Sequence, residues 1–203
     1  MYLITGAAGF IGFHISLELL KKNNIVIGID NINNYYDQNL KKERLKVLKT
    51  YDNFIFKKVD LSKTIDFNKL KNNSFSIVIN LAAQAGVRYA FEKPHKYVNS
   101  NIIGFLNLMN YMKNNKIKKL IFASTSSVYG DIKAYPWSEK LNVNTPLTIY
   151  SSSKIFNENL AYSYSKYYGI QSLGLRFFTV YGEYGRPDMS IYKFTKNILE
   201  NKE

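Results

Sequence analysis

Short apolar runs alternate with longer amphipathic segments along the chain, a pattern typical of repeated βα units around a parallel sheet. The short runs predict strands at Tyr2–Thr5, Ile25–Ile29, Phe54–Val59, Ile77–Leu81, Leu120–Ser124 and Ser172–Phe177. The longer segments predict helices at Ile11–Lys22, Leu40–Thr50, Asn99–Asn115 and Ser151–Tyr168, with a last helix that begins at Ser190.

The order of these elements predicts an α/β fold, a doubly wound parallel sheet of the Rossmann type with helices on both faces. We expect residues 1–203 to form one such domain. Ligands of this fold bind beyond the carboxyl ends of the strands, so the candidate chemistry is sought at that edge. The long loop Asp131–Leu147 lies between a predicted strand and a predicted helix, and such loops are usually functional.

The composition narrows the classes of function. The chain has 203 residues, of which 46% are hydrophobic and none is cysteine, so disulfides and thiolate metal ligands are excluded. His14 and His95 are far apart and have no carboxylate at ligand spacing, so we predict no metal site. No basic leader precedes the first strand, and no apolar run approaches the roughly 18 residues of a membrane span. We therefore expect a cytoplasmic protein without a membrane partner.

The formal net charge of +13 raises the question of nucleic-acid binding. The lysines are scattered over predicted turns and polar helix faces, however, together with abundant asparagine, isoleucine and tyrosine. This distribution favours ordinary solvated positions over a binding stripe, and we predict no nucleic-acid partner. A positive field would still attract a small polyanionic substrate.

A glycine-rich turn joins the first predicted strand to the first predicted helix. Gly6 permits a tight turn, Gly9 lets backbone amides approach a pyrophosphate, and Gly12 allows close packing of helix on sheet. The strand before and the helix after supply the context that such glycines need. We predict a dinucleotide site at this turn, formed by Gly6, Gly9, Phe10, Ile11 and Gly12.

Polar side chains at the ends of the following strands extend this site. Asp30 lies where a carboxylate would hydrogen-bond the adenosine ribose and repel a 2'-phosphate, which favours NAD over NADP. Alternatively, Asp30 caps the loop that follows its strand. Asp60 and Leu61 lie where an adenine ring would meet a polar group and an apolar wall. The other residues assigned to the cofactor are Asn31, Leu81, Ala82, Ala83, Asn99 and Phe177.

Tyr150 and Lys154 are four residues apart at the start of a predicted helix, so they share one face. A nearby ammonium group favours the phenolate and tunes a tyrosine for acid–base chemistry. A run of hydroxyl residues, Ser124–Ser127, follows the fifth strand and could hold a substrate alcohol or a developing carbonyl oxygen. The alternative is a polar turn whose hydroxyls are satisfied by their own backbone.

Together these motifs resemble the extended short-chain dehydrogenase/reductase family, whose members epimerise, dehydrate or decarboxylate nucleotide sugars. Three longer stretches look like the UDP-glucuronate 4-epimerases in particular, namely residues 33–37, 82–89 and 176–189. The resemblance covers essentially the whole chain. It implies NAD as cofactor and a nucleotide sugar as substrate, which would be epimerised through a 4-keto intermediate.

The resemblance also implies individual roles. Tyr150 would be the catalytic base, Lys154 its partner and a ribose ligand, and Thr125 the substrate-contacting hydroxyl, supported by Ser126 and Ser127. Relatives that dehydrate or decarboxylate usually place acids at the last two positions, so the hydroxyls favour simple epimerisation. Phe177 and Thr179 would flank the nicotinamide and the substrate.

Two arginines are candidates for the anionic parts of the substrate. Arg186 would grip the sugar carboxylate or the phosphates, and this grip would suppress loss of carbon dioxide from the β-keto acid intermediate. Arg88 is a weaker candidate, and its alternative role is a surface ion pair with Glu92.

Family members continue beyond this domain into a smaller substrate-binding lobe, which we expect this chain, ending at Glu203, to lack. An exposed apolar surface would result, and a homodimer is expected through helices Asn99–Asn115 and Ser151–Tyr168. The alternative functions are a UDP-glucose/UDP-galactose 4-epimerase, another nucleotide-sugar-modifying enzyme, or a catalytically idle NAD-binding fragment.

Overall fold

The computed structural model describes residues 1–202. Its centre is one parallel sheet with the strand order β3-β2-β1-β4-β5-β6. Thr5 is paired with Ile29 on one side and with Asn80 on the other, so the carboxyl ends of the central strands lie level at one edge. The strands are β1 (Tyr2–Thr5), β2 (Val26–Asp30), β3 (Phe54–Lys58), β4 (Ile77–Asn80), β5 (Lys119–Thr125) and β6 (Gln171–Phe177).

Helices connect successive strands, as the doubly wound interpretation requires. The helix predicted over Asn99–Asn115 is a π-helical stretch, Val98–Ile103, followed by an α-helix. Short helical turns at Thr64–Leu70 and Ser126–Tyr129 are of the 3₁₀ type. The α-helices are α1 (Phe10–Lys21), α2 (Gln38–Leu48), α3 (Tyr89–Glu92), α4 (Pro94–Tyr97), α5 (Gly104–Asn114), α6 (Ile149–Tyr168) and α7 (Ser190–Leu199).

The longest helix, α6, has well-defined signals at both ends. The Thr148 side chain accepts a hydrogen bond from the Ser151 amide, and the Ser151 side chain accepts one from the Thr148 amide, which forms a capping box. Gly169 ends the helix in the left-handed conformation at φ 63°. These caps fix the register of the helix that carries Tyr150 and Lys154.

Two buried clusters cover the two faces of the sheet. Because neighbouring residues of a strand point to opposite faces, Leu3 belongs to one cluster and Ile4 to the other. The first cluster includes Phe105 and Leu108 of α5, while the second includes Phe13 of α1. Both faces of the central strands are therefore buried, which explains their continuous apolar runs.

Large apolar side chains are exposed on α7. No side chain of α7 is buried, and Phe194, Ile198 and Leu199 expose 65%, 74% and 78% of their surface. Phe194, Ile198 and Leu199 lie within two turns of this helix, and we call these three exposed side chains the apolar margin. None of the helices within residues 1–202 is both long enough and apolar enough to cross a membrane.

Candidate active site

A cavity of about 830 Å³ opens at the carboxyl ends of the strands, where the doubly wound fold predicts a ligand. With one exception, every residue that sequence reasoning assigned to cofactor, catalysis or substrate lines this cavity. The exception is Asn99, whose neighbour Ser100 lines the wall instead. Both residues lie in the π-helical stretch Val98–Ile103, which belongs to the predicted helix.

The glycine-rich turn brings α1 directly against its own first residues. A Cβ at Gly12 would lie 2.1 Å from the Gly6 carbonyl oxygen, so only glycine allows this approach. Gly9 is the N-cap of α1 and supplies no capping side chain, so the first amides of the helix are left for a ligand. The turn therefore fits a pyrophosphate.

Asp30 has the capping role that the sequence analysis gave as its alternative, and it also contacts the glycine-rich turn. Its two carboxylate oxygens accept hydrogen bonds from the amides of Ile32, at 2.7 Å, and Ala8, at 3.2 Å. The carboxylate thus caps its own loop and is also fixed to the glycine-rich turn. Burial raises the pKa of Asp30, while the two amides and the charges of Lys41 and Arg44 act in the opposite direction.

Tyr150 and Lys154 face the cavity from the first turns of α6. The Lys154 Nζ is buried, lies 6.0 Å from the centre of the Tyr150 ring and donates to the Ala123 carbonyl oxygen at 2.9 Å. Burial lowers the pKa of Lys154 to about 8. The pKa of Tyr150 is raised by burial, against smaller lowering effects of a hydrogen bond with Thr125 and of the Arg186 charge. Burial therefore outweighs the effects that favour the phenolate, and these come from Thr125 and Arg186, whereas the sequence pointed to the Lys154 ammonium group.

The hydroxyl cluster after β5 opens a 3₁₀ turn. The Thr125 hydroxyl accepts from the Ser127 amide at 3.2 Å, so this residue caps the turn as well as facing Tyr150. The alternative interpretation, a polar turn satisfied by its own backbone, therefore applies to Thr125, and its hydroxyl also contacts Tyr150. Ser124 is committed elsewhere, since its hydroxyl donates at 2.5 Å to Glu158, which also holds Arg176 in a two-point ion pair.

Gly130 ends the same turn with φ +61°. A Cβ there would lie 2.1 Å from the Thr145 carbonyl oxygen, so the long loop 131–147 can pack against the turn only at a glycine. Trp137 of that loop stacks on Tyr129 with ring centres 4.9 Å apart.

The two candidate arginines differ in their surroundings. Arg186 forms a two-point ion pair with Asp188 at 3.0 and 2.5 Å, beside the ring of Tyr35. Arg88 is exposed at the cavity wall, and within the described part of the chain it makes no ion pair with Glu92. The alternative of an Arg88–Glu92 pair is therefore wrong for this structure.

Sequence reasoning missed two buried supports of the site. The Asn101 side chain accepts from the Gln84 amide at 2.7 Å and donates to the Gln84 carbonyl and the Ser153 hydroxyl, which ties the loop after β4 to α6. The Tyr97 hydroxyl donates to the carbonyls of Ala85 and Gly86, while its ring lies edge-on to that of Tyr150. The signal for Asn101 was a polar residue in an otherwise apolar helical segment, whereas no pattern in the sequence indicated Tyr97.

No group of three or more histidine, cysteine, aspartate or glutamate side chains within residues 1–202 is arranged to hold a metal ion. The chemistry of the cavity rests instead on a phenol, an ammonium group, hydroxyls and a backbone cradle for a phosphate. The sheet order, the glycine-rich turn and the Tyr150–Lys154 pair on one cavity define the short-chain dehydrogenase/reductase class.

The chain belongs to the NAD dependent epimerase/dehydratase family, whose sequence profile matches residues 2–203. It is 48% identical to a UDP-glucuronate 4-epimerase of Thermodesulfobacterium geofontis over 99% of this chain and 62% of that protein. It is 47% identical to UDP-glucuronate 4-epimerase 4 of Arabidopsis thaliana, covering 98% of this chain and 46% of that one.

Solved structures agree with these relatives. The crystal structure of UDP-glucuronic acid 4-epimerase from Bacillus cereus with UDP-glucuronic acid and NAD superimposes with a TM-score of 0.91 at 38% identity. That match covers 99% of this chain and 63% of the Bacillus chain. The chain thus spans less than two thirds of the length of these relatives.

Proposed function

We propose that residues 1–203 are the NAD-binding domain of a nucleotide-sugar 4-epimerase that acts on UDP-glucuronate. The observation that carries the proposal is the meeting of Tyr150, Thr125 and Lys154 with the glycine-rich turn and Asp30 on one cavity. The relatives named above support the same cofactor and the same sugar.

The chain's own residues fit a dinucleotide along the cavity. The amides after Gly9 would hold the pyrophosphate, and Asp30 would accept hydrogen bonds from the adenosine ribose with its remaining lone pairs. Asp60, positioned by the Asn31 amide at 3.3 Å, would lie beside the adenine. Bound NAD would supply the chemistry of taking a hydride from the sugar and returning it to the other face.

Tyr150 is the proposed acid–base group for the sugar 4-hydroxyl. Burial raises the pKa of its phenol, while the hydrogen bond with Thr125 and the charge of Arg186 lower it by less. Lys154 would bind the nicotinamide ribose, because its Nζ uses only one of its donors on Ala123. Ser126 and Ser127 offer hydroxyls but no carboxylate, which supports epimerisation over dehydration or decarboxylation.

Arg186 is the proposed ligand of the substrate carboxylate. Its ion pair with Asp188 fixes the guanidinium at the cavity wall. The substrate carboxylate would bind this guanidinium either in place of Asp188 or together with it. A firmly held carboxylate cannot readily leave a β-keto acid, so this contact would protect the 4-keto intermediate.

A homodimer through α5 and α6 completes the proposal. Tyr162 and Tyr167 of α6 and Ile103 at the start of α5 are exposed large side chains on these helices, which supports a contact between copies. Sedimentation velocity over a range of concentrations measures this association, and a chain that stays monomeric throughout would contradict it.

The proposed reaction is tested by incubating the chain with NAD and UDP-glucuronate and separating the nucleotide sugars by chromatography. We expect UDP-galacturonate to form, and Tyr150→Phe, which keeps the ring and removes the hydroxyl, to abolish its formation while NAD still binds. A faster reaction with UDP-glucose would assign the chain to the hexose epimerases instead. If the chain binds NAD but converts neither sugar, only the proposed cofactor binding would stand, and the proposed epimerisation by this chain would fail.

A further inference from the structure

Arg44 of α2 is fully buried, yet none of the ion pairs found within residues 1–202 includes it. Burying a charge is unfavourable unless the charged group is well hydrogen-bonded. Arg44 meets that condition with neutral acceptors alone. Most of these acceptors are backbone carbonyl groups. Arg44 therefore holds segments of the main chain in place.

The guanidinium of Arg44 joins three segments that are distant in sequence. One amino group donates to the Ala8 carbonyl at 2.9 Å and to the Tyr36 hydroxyl at 2.7 Å. The other amino group donates to the Tyr184 carbonyl at 2.5 Å, and the Nε reaches the same oxygen at 3.2 Å. The glycine-rich turn and the segment after β6 are thus held by one planar group.

The segment after β6 has further anchors on the same side. The His14 Nε2 donates to the Glu183 carbonyl at 2.9 Å, and the Tyr184 ring packs on Phe13 at 5.0 Å between ring centres. Tyr184 itself has a left-handed backbone, with φ 56°. These contacts carry the 182–189 loop across the cavity from β6 to α1 and α2, and the loop brings Arg186 and Asp188 to the cavity wall.

We propose that Arg44 is a positioning residue that couples the cofactor site to the 182–189 loop, an inference that rests on the proposed function of both. Ala8 lies between the two glycines that would cradle the pyrophosphate, and Tyr184 lies two residues before Arg186. A ligand that fixes the glycine-rich turn therefore also steadies the loop that would bind the sugar.

Hydrogen exchange of the ligand-free chain tests the anchoring. In Arg44→Met the amides of the 182–189 loop should exchange at least about fivefold faster than in the wild type, while those of β4 and β5 keep their protection. Lys42→Met is the matched control, because Lys42 is exposed on the same helix, and it should exchange like the wild type. Unchanged exchange in the loop, or equal loss of protection throughout the chain, would refute the anchoring.

Hydrogen exchange with NAD tests the coupling itself. NAD should slow amide exchange in the 182–189 loop of the wild type. It should do the same in His14→Ala, a variant that loses the hydrogen bond to the Glu183 carbonyl but keeps the hydrogen bonds of Arg44. Arg44→Lys keeps the buried charge but lacks the planar guanidinium group that reaches both segments. In this variant NAD should slow amide exchange only in the glycine-rich turn. Protection of the loop by NAD in Arg44→Lys would overturn the coupling. If the wild type does not bind NAD, the proposed function fails, while the ligand-free comparison still decides the anchoring.

Discussion

The ammonium group of Lys154 is buried, and this burial lowers the free energy of unfolding. Its pKa falls from an ordinary value of 10.5 to about 8, so its charged form costs about 3 kcal/mol in the folded protein at 1.36 kcal/mol per pKa unit. Below pH 8 both the folded and the unfolded chain carry the charge, and the penalty is fully present. Between pH 8 and 10.5 the unfolded chain binds more protons, so stability rises with pH through that window.

Replacing Lys154 by methionine should therefore stabilise the protein at pH 7. The lost hydrogen bond to Ala123 offsets part of the gain, which leaves about 1 kcal/mol in the free energy of unfolding. Urea unfolding of both proteins at pH 7 and pH 10 measures the difference, which should reverse in favour of the wild type at the higher pH. A variant that is less stable than the wild type at pH 7 would show that the buried charge is not the dominant effect. Epimerisation should be lost in the variant at either pH.

Thr125 offers a second prediction at the level of one side chain. Thr125→Val keeps the shape but removes the hydroxyl that contacts Tyr150, so kcat should fall by about a hundredfold with little change in KM. Thr125→Ser retains the hydroxyl and serves as the control, with most of the rate preserved. Initial rates of UDP-galacturonate formation provide the measurement, and equal rates for the valine and serine variants would remove Thr125 from the proposed proton path.

The junction of β1 and α1 depends on close contact between two backbones. Gly12→Ala would place a methyl group 2.1 Å from the Gly6 oxygen and should destabilise the protein by about 2–3 kcal/mol while abolishing NAD binding. Gly9→Ala is the graded control, because its Cβ would stand 3.0 Å from the same oxygen. Thermal unfolding and NAD titration of both variants should therefore rank Gly12→Ala as the more damaging, and the opposite order would contradict the packing argument.

Most of the elements that sequence periodicity identified have a buried face, although α7 was identified too and has no buried side chain. All six predicted strands are present within two residues of their predicted ends, because each central strand is apolar on both sides. The short helices α3 and α4 were not predicted, and the π-helical stretch was predicted only as part of an ordinary helix. They are one turn or little more in length, and hydrogen bonds such as that of Tyr97 to the Ala85 carbonyl, rather than a repeating apolar pattern, hold them in place.

The predicted part of the candidate site is the part built from local motifs. Gly6–Gly12 follows β1 and Thr125–Ser127 lies at the end of β5, while Tyr150 and Lys154 are one helical turn apart at the start of α6. Arg44 could not be identified in this way, because in the sequence it does not differ from the other basic residues of an amphipathic helix. Its partners are backbone carbonyls 36 and 140 residues away, which only the folded chain brings together.

At the scale of the whole molecule, the apolar margin should make the chain associate at high concentration. Phe194→Glu introduces a charge on the apolar margin without replacing a buried side chain, so the variant should sediment as smaller species than the wild type. NAD affinity should be unchanged, since neither Phe194 nor its neighbours on the margin hold the glycine-rich turn. Identical sedimentation of the two proteins would place self-association elsewhere, with α5 and α6 as the next face to test.

Gly130 gives the molecule a position at which sequence variation is restricted by shape alone. The Thr145 carbonyl occupies the space where any side chain would begin, and the backbone conformation is itself unfavourable for other residues. In a saturation library, position 130 should be as intolerant as position 150, although no atom of Gly130 takes part in proton transfer. Invariance at this glycine would be due to the packing of the 131–147 loop against the turn, whereas invariance at Tyr150 would be due to its proposed role in proton transfer.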